Sequence, residues 1–190
     1  MASNCVSNCM ALTSAWLMRF APLFARDAQV LDVACGQGRH AAYLALRGCR
    51  VTAVDIDVAD IEAGLGGCPG VTIECRDLEK EPWPYEPERF DAVVVINYLW
   101  REHFPHYWSS LRPGGIFVME TFTKANAAIW GRPKNPAHFL HHRELLSLVP
   151  ADARIIAYEE GLTVDDRAVE RIVAAKPSDA EPYAWPLGVR

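Results

Sequence analysis

Residues 30–38 of this chain are Val30-Leu31-Asp32-Val33-Ala34-Cys35-Gly36-Gln37-Gly38. The apolar start predicts a short strand over 30–34, and the glycines predict a sharp turn from that strand into a helix over 39–47. Glycines also let a ligand approach the backbone closely. Because ligands of open α/β sheets bind at the carboxyl ends of the strands, this turn is the first candidate binding site.

Predicted strands and helices alternate along the rest of the chain. The further strands are predicted over 50–55, 71–75, 90–96, 116–120, 153–159 and 168–174, and the further helices over 8–26, 57–65, 99–111 and 141–148, with a kink or break at Pro105. This alternation favours an α/β fold with a mostly parallel sheet. The last two strands lack a good helix between them and so predict an antiparallel hairpin at one edge of the sheet.

The composition excludes several classes of protein. The 190 residues carry a net charge of −5 and 51% of them are hydrophobic, which argues against intrinsic disorder. No apolar run approaches the about 20 residues of a membrane span, and the acidic balance argues against a general nucleic-acid binder. The composition therefore predicts an ordinary globular domain.

The cysteines and the first apolar run indicate the compartment. The run from Met10 to Met18 has no basic region before it and makes a poor signal peptide. The six cysteines include no Cys-x-x-Cys pair; they are Cys5, Cys9, Cys35, Cys49, Cys68 and Cys75. We therefore expect free thiols and a cytoplasmic location.

Two aspartates indicate which ligand the turn binds. Asp55 ends the second predicted strand, 23 residues after Asp32, where an acid can accept hydrogen bonds from ribose hydroxyls. Asp32 lies four residues before Gly36, where a carboxylate repels a pyrophosphate but attracts an ammonium or a sulfonium group. Residues 36–41 also fit the looser dinucleotide fingerprint Gly-x-Gly-x-x-Ala. The preference of Asp32 for cations nevertheless favours S-adenosylmethionine, which carries both.

These motifs resemble those of class I S-adenosylmethionine-dependent methyltransferases. The resemblance rests on Asp32-x-x-x-Gly36-x-Gly38, on Val51-Thr52-Ala53-Val54-Asp55 and on Leu111-Arg112-Pro113-Gly114-Gly115, and it extends to the small bacterial methyltransferases related to the tellurite-resistance group. It implies a Rossmann-like α/β fold, with a seven-stranded, mostly parallel sheet, the last strand antiparallel and helices on both faces. It covers residues 28–120 well and 121–175 loosely, so it is more informative about the cofactor than about the methyl acceptor.

The resemblance also implies a role for each residue of the cofactor site. Asp32 and the turn over 36–38 would hold the methionine end of S-adenosylmethionine. Asp55 would bind the ribose, Ile56 and Asp77 the adenine, and Asn97 would border the methyl group. The predicted cofactor-binding residues are Asp32, Ala34, Gly36, Gly38, Asp55, Ile56, Asp77, Leu78 and Asn97. Capping of a turn or helix is the alternative role for several of these polar side chains.

The methyl acceptor is expected at the carboxyl ends of the fourth and fifth strands. The candidate catalytic residues are Asn97, Tyr98 and Glu120, and the candidate acceptor-binding residues are Trp100, Arg101, Arg132 and His138. Glu120 is either a base or a salt-bridged carboxylate, and the long loop predicted over 121–138 is a candidate lid. The histidines carry no metal-binding signature, so no metal is expected.

Together these features predict methyl transfer to a small molecule by in-line displacement, catalysed mainly by proximity and exclusion of water. We expect one methyltransferase domain over 1–190, with an N-terminal helical segment (1–27), a cofactor-binding core (28–120) and a substrate-side loop with a C-terminal hairpin (121–190). The expected partner is the acceptor alone, without nucleic acid or membrane, in a monomer or homodimer. The alternatives are a methyltransferase for protein, tRNA or rRNA, and a nucleotide-binding protein or oxidoreductase without methyl transfer.

Overall fold

The computed structural model describes residues 13–179. Cys5, Cys9, the start of the helix predicted over 8–26 and the tail after 179 lie outside these residues. The four other cysteines form no disulfide with one another, and Cys35 and Cys49 are buried.

Seven strands and six α-helices make up the described part of the chain. The strands are β1 (Gln29–Val33), β2 (Arg50–Asp55), β3 (Val71–Cys75), β4 (Phe90–Ile96), β5 (Leu111–Phe122), β6 (Arg154–Leu162) and β7 (Ala168–Ala175). The helices are α1 (Ala15–Phe20), α2 (Arg39–Leu46), α3 (Ala59–Leu65), α4 (Phe104–Ser110), α5 (Lys124–Trp130) and α6 (Glu144–Leu148), with short 3₁₀ turns at Ala21–Leu23, Arg101–His103 and Pro136–His138.

The strands form one sheet in the order β3-β2-β1-β4-β5-β7-β6. The pairs from β3 to β5 are parallel, whereas β7 runs antiparallel to both β5 and β6. The predicted seven-stranded sheet with an antiparallel last strand and an edge hairpin is therefore confirmed. The strand order reverses direction between β1 and β4, and at such a switch point the carboxyl ends of the strands leave a crevice for a ligand.

Helices cover both faces of the sheet because its central strands are apolar on both sides. Side chains of α1, α2 and α3, among them Trp16, Leu44 and Ile61, pack in one core. Side chains of α4 and α6, among them Tyr107 and Leu145, pack in a second core on the opposite face. These two cores hold the ends of β1 and β4 in place.

Helix α5 lies inside the segment that was predicted to be a loop over 121–138, and that prediction was wrong. Its sequence, Lys-Ala-Asn-Ala-Ala-Ile-Trp, is rich in alanine, and Gly131 ends it in the left-handed conformation at φ 67°. Three other helices are clearly shorter than predicted, and one of them is α6, which starts at Glu144 instead of residue 141. The first α-helix ends at Phe20, just before Pro22, and α4 starts at Phe104, so Pro105 lies in its first turn, where proline is tolerated.

Among residues 13–179, no helix is long and apolar enough to cross a membrane.

Candidate cofactor site

The residues that directly follow β1 and β4 have unusual backbone angles. Ala34 has φ 52° and Asn97 has φ 61°, both in the left-handed region that non-glycine residues rarely adopt. Each such residue costs of order 1 kcal/mol or more, and such strain is concentrated at functional sites. The two residues follow adjacent strands, so they lie on the two sides of one crevice.

The two glycines of the turn have different roles. Both have positive φ, 53° at Gly36 and 75° at Gly38. A Cβ atom built on Gly36 would meet nothing within 4 Å, whereas one on Gly38 would lie 2.5 Å from the side chain of Ile61. Gly36 therefore presents backbone to open space, where a ligand can approach it, and Gly38 allows α2 to pack closely against α3.

Asp55 fixes the turn to the end of β2. One carboxylate oxygen accepts a 2.7 Å hydrogen bond from the Gly36 amide, and the other accepts from the Asp57 amide at 3.1 Å. The side chain therefore makes the capping contacts that were its alternative role. Each carboxylate oxygen has a second lone pair, so Asp55 keeps acceptor capacity for hydroxyl groups of a ligand.

A cleft of about 260 Å³ opens beside Asp55, and we call it the adenosine-side cleft. Several predicted cofactor residues line it, namely Ala34, Asp55, Ile56, Asp77 and Leu78. Ile56 is 62% exposed, although it is apolar, whereas Leu78 is buried. Lys80 donates a 2.7 Å hydrogen bond to Asp77, and this bond holds the pKa of the Asp77 carboxyl below its usual value.

A second cleft of about 300 Å³, the methionine-side cleft, lies on the other side of Ala34. It is lined by Ala34, Cys35, Gly36, Gln37, Arg39, His40, Ile96 and Asn97. Since Ala34 lines both clefts, a single extended ligand can occupy the two of them. The structure thus brings the predicted cofactor residues to one crevice, apart from Gly38 and Asp32, which line neither cleft.

Two buried acceptor atoms next to this crevice have no hydrogen-bond partner: Oδ2 of Asp32 and Oδ1 of Asn97. Burial raises the pKa of Asp32 to about 7, although the Ala41 amide and the nearby Arg39 guanidinium act in the opposite direction. Unpaired buried acceptors are costly unless a donor satisfies them. Both atoms therefore suit a ligand that brings a cationic donor.

Arg39 is a site residue that the sequence analysis did not select. Its side chain is half-buried in the methionine-side cleft, and its Nε donates to His40 Nε2 at 3.2 Å. The three other half-buried arginines between residues 13 and 179 each have a carboxylate partner; they are Arg101, Arg167 and Arg171. Arg39 has no such partner there, so its Nη groups are free to bind an anion. Its position at the first residue of the helix after the turn was the available signal.

Two of the candidate catalytic residues are already engaged by other side chains. The hydroxyl of Tyr98 donates to Glu79 at 3.1 Å, and Tyr98 lines the adenosine-side cleft. Glu120 is only 1% exposed and accepts from Ser14 at 3.1 Å and from Arg171 at 3.3 Å. These contacts match the salt-bridged alternative for Glu120.

The four candidate acceptor-binding residues line neither cleft. Arg101 binds Glu144 through two hydrogen bonds of 2.6 and 3.0 Å and also donates to the backbone carbonyls of Ala137 and Phe139. It thereby fixes the segment that contains His138. Trp100 is half-buried beside His103, and Arg132 is exposed after α5.

No group of three or more potential metal ligands occurs among residues 13–179. The buried His103 and the exposed His106 belong instead to an aromatic cluster around Trp83. Burial lowers the pKa of His103 to about 4, so this imidazole is neutral at physiological pH.

Comparison with known proteins gives matches in both sequence and fold. Residues 30–115 match a family model described as "Methyltransferase domain". The "Ubiquinone biosynthesis O-methyltransferase" of Pseudomonas syringae pv. tomato is 36% identical over 106 residues, which cover 50% of this chain and 45% of the relative. The match thus spans less than half the length of the curated relative.

Solved structures with low sequence identity share the fold. The N-methyltransferase NodS from Bradyrhizobium japonicum WM9 in complex with S-adenosyl-l-homocysteine has a TM-score of 0.67 at 16% identity, over 93% of this chain and 99% of that one. A structure from a study of thioacetal formation in echinomycin biosynthesis has a TM-score of 0.66 at 19% identity, over 84% and 79% of the two chains. Residues 30–115 are thus similar to a methyltransferase domain, and the chain shares the fold of these solved structures.

Proposed function

We propose that this chain transfers the methyl group of S-adenosylmethionine to a small-molecule acceptor. The observation that carries the proposal is the pair of unpartnered buried acceptors, Asp32 Oδ2 and Asn97 Oδ1, beside a cleft that continues into the adenosine-side cleft. The amino-acid end of this cofactor has an ammonium group, which donates hydrogen bonds and carries the positive charge that Asp32 prefers. The residues present therefore fit the group.

Each part of the cofactor has a complementary side chain in the proposed arrangement. Asp55 accepts from the ribose hydroxyls, while Ile56 and Leu78 contact the two faces of the adenine. Asp77 accepts from the adenine amine. At the other end, Arg39 binds the carboxylate that is bonded to the same carbon as the ammonium group. A guanidinium fork matches a carboxylate in geometry as well as in charge.

When bound, S-adenosylmethionine would supply an electrophilic methyl group: the acceptor would form a bond to the methyl carbon in line as the carbon–sulfur bond breaks, and S-adenosylhomocysteine would leave. The contribution of the chain is to hold both reactants, with Asn97 beside the reacting group, and to exclude water. Glu120 has both oxygens engaged, and burial lowers the pKa of His40 to about 3. Neither residue is thus available as a general base, and Asp32, with a pKa of about 7, binds the ammonium group in this arrangement. This favours acceptors that are already anionic or soft, such as phenolates, thiolates or metalloid anions.

The small-molecule acceptor is supported by two observations. The matched relatives are named for ubiquinone biosynthesis, so their acceptor is a small molecule, and the net charge of −5 disfavours RNA. On the acceptor side, we propose contacts from Trp100, Arg132 and His138, with Arg101 holding the segment in place. The narrower likeness to the tellurite-resistance methyltransferases and the cytoplasmic location stay predictions.

Thermal melting with S-adenosylhomocysteine, and separately with NADH and NADPH, tests the cofactor. A ligand at about 100 times its Kd adds about 2.7 kcal/mol, which should raise Tm by about 5–10 °C for a domain of this size. We expect a shift with S-adenosylhomocysteine alone. A shift with a nicotinamide cofactor alone would refute the proposal. Transfer of a labelled methyl group to phenols, thiols, metalloid anions, tRNA and protein then distinguishes the acceptor classes.

A further inference from the structure

A buried chain of polar contacts connects the antiparallel edge of the sheet to the methionine-side cleft. It starts at Glu120 on β5, whose carboxylate is 2% exposed and accepts from Arg171 on β7 at 3.3 Å. The other carboxylate oxygen accepts from the Ser14 hydroxyl at 3.1 Å. Glu120 thereby joins two strands to the start of α1.

Ser14 connects Glu120 to α2. Its hydroxyl accepts from the Leu17 amide at 3.4 Å and so caps α1 while it donates to Glu120. Its backbone amide donates to Nε2 of His40 at 3.4 Å. The Thr13 hydroxyl also donates to the Arg39 carbonyl, at 3.4 Å, so the beginning of α1 is attached to the first turn of α2 at two points.

His40 is the hydrogen-bond acceptor that links these polar contacts to the methionine-side cleft. The same Nε2 that accepts from Ser14 accepts from Arg39 Nε at 3.2 Å. His40 is 3% exposed, and burial lowers its pKa to about 3, so Nε2 keeps its lone pair at any physiological pH. With Nε held in this way, the Nη groups of Arg39 are the part of the side chain left for a ligand.

We propose that Glu120 is a positioning residue for the methionine end of the cofactor, acting through Ser14 and His40 on Arg39. This inference rests on the proposed function, because it takes the cofactor carboxylate as the anion that Arg39 binds. A long arginine side chain loses much rotamer freedom when it binds, and a side chain that is already oriented loses less. Glu120 thus acts on affinity without touching the cofactor.

A positioning role differs from that of a general base, which is the other role that a carboxylate at the end of β5 could have. A general base needs a free oxygen within reach of the acceptor, whereas both oxygens of Glu120 are engaged and the side chain lines neither cleft. A positioning residue should change the binding of ligands that have the amino-acid end. It should leave unchanged the binding of ligands that lack it.

The test compares S-adenosylhomocysteine with 5′-methylthioadenosine, which has the adenosine part but no amino acid. Affinities are measured by calorimetry for the wild type, Glu120→Gln, Ser14→Ala and Ser14→Thr. Ser14 and Arg171 donate to different oxygens of Glu120, and a glutamine replaces one of these oxygens by an NH₂ group, so that one of the two donors loses its acceptor. Threonine keeps the hydroxyl that alanine removes.

The matched control is Glu170→Gln. Glu170 is a fully buried glutamate on the neighbouring strand β7 and accepts from the Leu145 amide and the Tyr158 hydroxyl, away from both clefts. It reports what a buried glutamate-to-glutamine change does to the fold alone. Melting curves of all variants show which of them are folded at the temperature of the binding experiment.

We expect Glu120→Gln and Ser14→Ala to lower the affinity for S-adenosylhomocysteine by about three- to tenfold, which is the effect of about one hydrogen bond. Binding of 5′-methylthioadenosine should stay within about twofold, Ser14→Thr should restore affinity, and Glu170→Gln should change neither ligand. Equal weakening of both ligands, or no change in either, would overturn the inference. If Glu120→Gln fails to fold, Ser14→Ala decides by the same criterion. If the wild type binds neither ligand, it is the proposed function that fails.

Discussion

Replacing Asp32 by asparagine should make the free protein more stable and the cofactor complex weaker. Burial raises the pKa of Asp32 from 3.8 to about 7 in the folded protein. Each pKa unit corresponds to about 1.4 kcal/mol, so ionised Asp32 costs the free protein about 4 kcal/mol as an upper limit. Asparagine has nearly the same shape and carries no charge, and so it avoids this cost.

The sign of the pH dependence follows from the raised pKa. Between pH 4 and pH 7 the folded protein holds a proton on Asp32 that the unfolded chain has lost, so the free energy of unfolding falls as pH rises through this range. Below pH 4 the aspartate is protonated in both states and costs nothing. The advantage of the Asp32→Asn variant should therefore be absent near pH 4 and fully developed above pH 7.

Melting curves at pH 4 and pH 8, with binding isotherms at several pH values, measure both effects. At pH 8 the limit of about 4 kcal/mol corresponds to a rise in Tm of about 8–16 °C, and we expect several degrees. S-adenosylhomocysteine should bind the variant at least about tenfold more weakly, since a charge-assisted hydrogen bond is lost. Wild-type affinity should rise about tenfold per pH unit up to pH 7, because the ammonium group binds ionised Asp32.

Two results would refute this reasoning. One is a variant that is less stable than the wild type at pH 8, which would mean that Asp32 mainly caps α2 through the Ala41 amide. The other is an unchanged affinity for S-adenosylhomocysteine at pH 8, which would remove Asp32 from the cofactor site. The Asp55→Asn variant is the control, because that half-buried carboxylate accepts two backbone hydrogen bonds and should give no gain in Tm at pH 8.

Three further predictions concern the turn, the ribose and the acceptor-side segment. Asp55→Ala should lower the affinity for S-adenosylhomocysteine and for 5′-methylthioadenosine alike by tenfold or more in calorimetry, because hydrogen bonds to the ribose of about 1.5–3 kcal/mol each are lost. The control Asp57→Ala should lower the affinity for neither ligand. Gly38→Ala should lower Tm more than Gly36→Ala does, because only the Cβ atom at position 38 clashes with another side chain. Gly36→Ala should instead block ligand binding. Equal losses of Tm in the two variants would count against this distinction. Arg101→Ala should cost about 1–3 kcal/mol in urea unfolding and leave S-adenosylhomocysteine binding unchanged, and a loss of that affinity would place Arg101 in the cofactor site.

The sheet could be predicted from the sequence because its signal is local. The central strands are mostly apolar, and the glycine turn with Asp55 indicates where a ligand would bind. Helix α5 was missed because a seven-residue helix without an apolar stripe has almost no periodic signal, and its alanines and Gly131 were the remaining indication. The partners of polar side chains were harder still. Nothing near Glu120 in the sequence indicates Arg171 or Ser14, which are 51 and 106 positions away.

The position of β7 has a consequence for how the chain is made. Among the described strands the last to be synthesised is β7, which lies between β5 and β6, so β5 keeps an open edge over residues 116–122 until Ala175 has left the ribosome. Open strand edges pair readily with other chains, so a nascent chain is most prone to aggregate at this stage. We expect ribosome-bound chains stopped before residue 168 to be degraded faster by protease than chains that expose residue 175. Equal degradation would mean that the cofactor half closes its edge without the final strand.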